Sequence, residues 1–213
     1  MMAKLAARQR RPTGKMQTNI TEAEEKRYTE LQQMALDFAR HGETESLAAM
    51  LRHGLPVNLA DAKGNTLLML ASYNGNEETA RMLLECGAEV DCRNDRGQTP
   101  LGGVAFKGYE EIVTLLLEHG ADIDADNGGG MTPIMFASLF GRSKVVNQLK
   151  THGASLQRRN RLGISAKWMV RLSGLMRWLT LRVRPARYGH KSTASQPEAT
   201  ARQKELSVTP TSR

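Results

Sequence analysis

Short apolar runs, each cut off by glycine, return along this chain at a fixed spacing. Leu67, Leu68, Leu70 and Ala71 pair with Ala80, Met82, Leu83 and Leu84. Leu101, Val104 and Ala105 pair with Ile112, Val113, Leu115, Leu116 and Leu117. Ile134, Met135, Phe136 and Ala137 pair with Val145, Val146 and Leu149. Steps of three and four within the runs predict helices. Each run is shorter than the about 12–15 residues an isolated helix needs in water, so the runs must gain stability by stacking on one another.

The glycines set the period. Gly42, Gly75, Gly108, Gly141 and Gly174 recur every 33 residues, as do Gly54, Gly87, Gly120 and Gly153, and again Gly64, Gly97, Gly130 and Gly163. The first ladder falls between the two runs of a unit, where a tight turn is needed. The second follows the second run, as a glycine closing a helix does. The third falls in a polar stretch before the next unit, as a hairpin tip requires. Four units and a degenerate fifth result. Residues 31–63 form the first, and the segment 22–40 is longer than one repeat helix and is expected to cover the N-terminal edge. Gly163 to Ala166 opens the fifth.

The wording of the units resembles the ankyrin repeat. Gly97-Gln98-Thr99-Pro100-Leu101, the run Glu111 to Leu117 and Gly120-Ala121-Asp122-Ile123-Asp124 carry the likeness, and Thr132-Pro133-Ile134 and Gly87-Ala88-Glu89-Val90-Asp91 repeat parts of it. Thr99 and Thr132 suit helix N-caps, with Pro100 and Pro133 at the first helical position, where no amide donor is lost. The resemblance covers residues 31–174 and implies an all-α ankyrin-repeat solenoid with short β-hairpin tips. It implies protein binding through a concave surface, with no cofactor and no catalytic role. The units are also similar to small stand-alone bacterial ankyrin proteins, which implies a cytoplasmic location. Where the family places a histidine, this chain has Met69, Gly102 and Met135. Gly102 and Gly103 inside a helix should each cost about 1 kcal/mol relative to alanine, so unit three is expected to have the weakest first helix.

Charge changes the picture at the ends. Residues 21–156 hold 12 Lys/Arg against 20 Asp/Glu, while the flanks hold 18 against 2. The chain's net charge of +8 therefore belongs to basic tails around an acidic body. The expected division is a disordered basic start at 1–20, a repeat domain at 21–179 and a basic disordered tail at 180–213. The Arg-rich start lacks the apolar core of a secretory signal, and its composition also fits a presequence, with Met16 as an alternative start. Two cysteines, Cys86 and Cys92, read as reduced thiols.

No catalytic set emerges. His53, His119 and His152 precede the helix-ending glycines, and Cys86 fills that slot in unit two. Packed helices lie about 10 Å apart, too far for shared metal ligation, so these are expected to be helix C-terminal residues. Gly128-Gly129-Gly130 lacks the lysine of a phosphate loop, and Asp122, Asp124 and Asp126 lack the glycine and glutamate of a calcium loop. The candidate binding residues are those at the tips and first-helix ends. They are Lys63, Asn65, Tyr73 and Asn74, then Asp95, Arg96, Gln98, Phe106 and Lys107, then Met131, Leu139 and Phe140. Tyr73, Phe106 and Leu139 share one phase; they either pack as core between units or form an exposed anchor row for an unidentified protein partner. Arg177, Arg182, Arg184, Arg187 and Lys191 form a basic stretch suited, as the alternative, to weak contact with anionic lipid or nucleic acid. The apolar positions Trp168, Leu172, Leu175 and Leu179 interleave with it and read as a cap over the last repeat or as one face of an amphipathic helix.

Overall fold

The computed structural model describes residues 21–172. Eight helices follow in order: α1 (Glu22–His41), α2 (Thr44–Arg52), α3 (Leu67–Asn74), α4 (Glu77–Glu85), α5 (Pro100–Lys107), α6 (Glu110–Glu118), α7 (Pro133–Leu139) and α8 (Ser143–Thr151). A further helix opens at 166 and continues to 172. The first helices of the units, α1, α3, α5 and α7, pack on one another in sequence, and α2, α4, α6 and α8 form a second layer behind them. The core lies between the layers. Leu67, Leu101 and Ile134 are fully buried, as are Leu83, Leu116 and Leu149.

The three glycine ladders do what their spacing predicts. Every described member has positive φ, between 68° and 94°. Gly42, Gly75 and Gly108 close α1, α3 and α5 in the left-handed conformation. The connecting hairpins are minimal: Asp61 N bonds Asn65 O, and Asn94, Asn127 and Asn160 repeat that bond to Gln98, Met131 and Ile164. Isolated antiparallel bridges mark the first and last tips, Ala60 with Thr66 and Arg159 with Ser165.

The units are also tied across their boundaries by side chains in register. Asn58 Oδ1 accepts from Glu89 N at 2.9 Å, Asp91 Oδ2 from Asp122 N at 2.9 Å, and Asp124 Oδ1 from Ser155 N at 3.0 Å. Asp122 caps the amide of Asp124, and Asp126 Oδ1 takes the amides of Gly128 and Gly130. All three alternating acids are therefore used to hold backbone.

α1 is longer than a repeat helix, as expected, and covers the N-terminal edge of α3 with part of its length. Thr21 and Glu24 form a capping box, and the helix runs 20 residues. Only its second half packs, through Ala35, Leu36 and Ala39, while residues 22–31 are exposed. It is the first helix of unit one and packs on α3 and α2.

Candidate protein-binding surface

The first-layer helices start at the hairpin tips and end at the turns that lead into the second-layer helices. Their ends carry the expected row. Tyr73 and Phe106 lie with ring centroids 6.3 Å apart and planes within 9° of parallel. Phe106 and Phe140 meet edge to face at 4.3 Å. Tyr73 and Phe140 are each 45% exposed and Leu139 is 60% exposed. Phe106, between the two rings, is half-buried. The row is thus a surface line of rings touching each other, not core between units. Such ring pairs contribute about 0.5–1.5 kcal/mol beyond burial, which orders the row without a partner.

Backbone choices make room for it. A Cβ at Gly103 would stand 3.3 Å from the Tyr73 ring. Lys107 Nζ sits 5.0 Å from the Tyr73 ring centroid and 5.8 Å from that of Tyr109. Asn76, Tyr109 and Arg142 occupy one position in successive units, and each packs back on the preceding first helix. Asn76 Nδ2 donates to the carbonyls of Ala39 and Arg40, and Arg142 Nε donates to Phe106 O at 3.0 Å. The Tyr109 ring lies against Gly75. Sequence reasoning missed Tyr109 and Arg142 as supports of the row, although their 33-residue spacing was a signal for them.

The expected tip residues divide in two. Lys63, Asp95 and Arg96 are exposed, and so is Asn74 at the end of α3. Among the described residues, neither Lys63 nor Arg96 is paired with a carboxylate. Asn65 and Gln98 are instead part of the tip framework. Asn65 Nδ2 donates to Asp61, Asn94 Nδ2 donates to Asn65 Oδ1 at 2.9 Å, and the same amide reaches Gln98 Oε1 at 3.2 Å. Met131 packs against the core, and its sulfur accepts from Asn160. The basic stretch Arg177, Arg182, Arg184, Arg187 and Lys191 lies outside the described residues, as do the terminal segments 1–20 and 180–213.

Electrostatically the two layers differ. The second-layer helices α2, α4 and α6 carry seven glutamates against two arginines, whereas α8 carries two lysines and no acid. The first-layer helices α3, α5 and α7 carry a single charge, that of Lys107. Three carboxyls at the N-terminal end lie below their ordinary range. Backbone and side-chain hydrogen bonds from Thr21 hold Glu24 down. Those from Gln33 and Arg40 hold Asp37 down. Burial pushes Asp61 up, but hydrogen bonds from Asn65 and Lys63 and the nearby Arg40 charge more than reverse it. Burial, with Glu89 nearby, raises the Cys92 thiol, a shift away from the reactive thiolate.

The histidines act at helix ends. Nδ1 of His53, His119 and His152 is hydrogen-bonded to the carbonyl four residues earlier, at 2.7–2.8 Å. Among the described residues no three His, Cys, Asp or Glu side chains gather as metal ligands, and no helix is long and apolar enough to cross a membrane.

A one-dimensional stack whose buried positions repeat and whose tips and helix ends vary defines a protein-interaction solenoid. The family described as ankyrin repeats (3 copies) matches residues 16–94 and 83–160. The chain belongs to the ankyrin-repeat family, whose repeat is an interaction module and not a catalytic one. It is also similar to a Pseudomonas aeruginosa protein named as an ankyrin repeat protein, 52% identical over 40 residues. That match spans 19% of this chain and 23% of the relative.

Proposed function

We propose that this protein is a cytoplasmic adaptor or regulatory scaffold that holds a segment of a partner along its first-layer helix ends, with no catalytic role. The observation that carries this reading is the exposed line Tyr73–Phe106–Phe140 with Leu139 beside it. Aromatic rings in such patches supply most of the energy at protein interfaces. Lys107 lies over the Tyr73 ring of the line, which favours a partner segment that joins an apolar or aromatic anchor to acidic residues.

Selection of a displayed random-peptide library on the full chain tests it. Enriched peptides should combine aromatic and acidic residues. Their binding should fall at least tenfold in Phe106→Asp/Phe140→Asp, because each anchor is worth about 2 kcal/mol. The helical circular-dichroism signal should stay, because the rings are surface groups. Peptides that bind the variant as well as the parent would refute the reading.

The charge split favours a second reading, a peripheral tether to anionic lipid or nucleic acid through the basic flanks. Salt separates the two. Tail binding should vanish by about 0.5 M salt, where the Debye length is about 4 Å, and row binding should change little.

A further inference from the structure

Gly102 and Gly103 both weaken α5 intrinsically, and the packing around them differs. Gly102 is buried, and a Cβ there would stand 1.9 Å from Asn127 Oδ1. Gly103 is half-buried inside the helix and has no positive φ, so no turn demands glycine there. Apart from the helix's own backbone, only the edge of the Tyr73 ring would come within 4 Å of a Cβ at Gly103, at 3.3 Å. Tyr73 is 45% exposed and can give by the few tenths of an ångström this contact asks. Packing inside the protein therefore does not require Gly103.

The neighbouring units carry large side chains at the same position. Leu70 and Phe136 lie one 33-residue period before and after Gly103, on the helices that pack against α5, and both are half-buried. The first-layer face thus has an apolar line, Leu70–Gly103–Phe136, with the middle side chain missing. Gly103, Phe106 and Lys107 stand three and four residues apart, on one face of α5. Tyr73 and Phe106 border the gap with ring centroids 6.3 Å apart, and Lys107 Nζ sits 5.0 Å from the Tyr73 centroid. Lys107 is the single charge of α3, α5 and α7, and among the described residues it pairs with no carboxylate.

We propose that Gly103 is the specificity notch of the aromatic row: a partner segment places one large apolar side chain in the gap between Leu70 and Phe136 and a carboxylate on Lys107. This rests on the row as the binding surface and names what the row selects. An apolar side chain entering the gap meets apolar neighbours on both sides and the rings of Tyr73 and Phe106, the setting in which a single anchor supplies much of the binding energy. Glycine gives up helix propensity to keep that space open. Charge complementarity makes the group beside the anchor an acid, because a basic one would meet Lys107 with like charge.

Peptides selected from a displayed random library on the full chain are the probe. They should share one large apolar residue with Asp or Glu close by. Gly103→Ala should leave the urea midpoint unchanged or raised, in contrast to Gly102→Ala. Gly103→Leu should weaken these peptides by about tenfold or more while the helical signal stays. A double-mutant cycle locates the anchor. Replacing the apolar residue of the peptide by alanine should cost about tenfold or more on the parent and under about twofold on Gly103→Leu. Replacing the acid of the peptide by its amide should weaken binding to the parent several-fold and to Lys107→Gln hardly at all. Additive losses in the anchor cycle would overturn the notch. Where Gly103→Leu loses helicity, the cycle is run on Gly103→Ala, and additive losses overturn the notch there too. Peptides that lose binding in Phe106→Asp/Phe140→Asp yet hold Gly103→Leu as tightly as the parent would overturn the notch and leave the row intact. A library that yields no peptide on the parent would overturn both.

Discussion

Gly102 shows how one residue can look like a flaw and be a requirement. Asn127 is in register with Asn94 and Asn160, whose side chains hold their own hairpin tips. In unit four Asp126 takes that task, and Asn127 turns inward until it is 4% exposed. Its Oδ1 accepts from Thr99 N at 2.8 Å and from Thr99 Oγ1 at 3.0 Å. A Cβ at Gly102 would stand 1.9 Å from that oxygen. Gly102→Ala should therefore destabilise the protein by about 1–2 kcal/mol: the strained or lost buried bonds outweigh the about 1 kcal/mol gained in helix propensity. Urea unfolding measures this, and Gly102→Ala/Asn127→Ala should be no less stable than Asn127→Ala alone. Simple additivity of the two costs would contradict the contact.

Asp61 supplies a pH prediction at the same scale. Its folded pKa is lowered, so its contribution is fully present above the unfolded value of about 4 and is lost as pH falls through the folded value. Asp61→Asn keeps the tip acceptor that Asn94 and Asn160 already provide. It should cost less than about 1 kcal/mol at pH 7 and make the unfolding midpoint fall less steeply as pH drops below about 4. An unchanged acid profile would show that the group has no such linkage.

At the scale of the element, α5 was expected to be the weakest first helix because of its two glycines. It is eight residues long, like α3, and has a threonine cap and proline at its first turn. The cap is well used: Thr99 Oγ1 accepts from Gly102 N at 3.2 Å and donates to Asn127. α7 has the same Thr-Pro start, yet Thr132 Oγ1 is buried with no hydrogen-bond partner among the described residues. Identical wording thus produces different energetics. Thr99→Val should cost about 1–2 kcal/mol, whereas Thr132→Val should be neutral or stabilising, since it removes an unpaired buried hydroxyl. Equal losses in thermal or urea unfolding would contradict this assignment of the caps.

Over the whole molecule, contacts run between neighbouring units and between the helices of one unit. Stability is then a sum over units and their interfaces, so segments outside the stack should not affect it. A chain lacking residues 1–20 and 180–213 should keep its helical signal and its urea midpoint. A large loss of either would make those flanks part of the core. The charge pattern also belongs to this scale: glutamates line the second layer from α2 to α6, the only charges of α8 are lysines, and the aromatic row with Lys107 marks the first layer.

The 33-residue period was written in the glycines and apolar runs, because backbone turns and buried positions depend on local residue type. That was enough to determine the repeat, the helix order and the phase that aligns Tyr73 with Phe106. The period could not tell a ring between units from a ring upon them, since both readings satisfy the same spacing. Only the packed structure decided that Tyr73 and Phe140 face outward, that Asn65 and Gln98 belong to the tips, and that Gly102 yields its space to Asn127. Each of these depends on a contact between units, and such contacts are set by the stacking geometry and not by the residues of one unit alone.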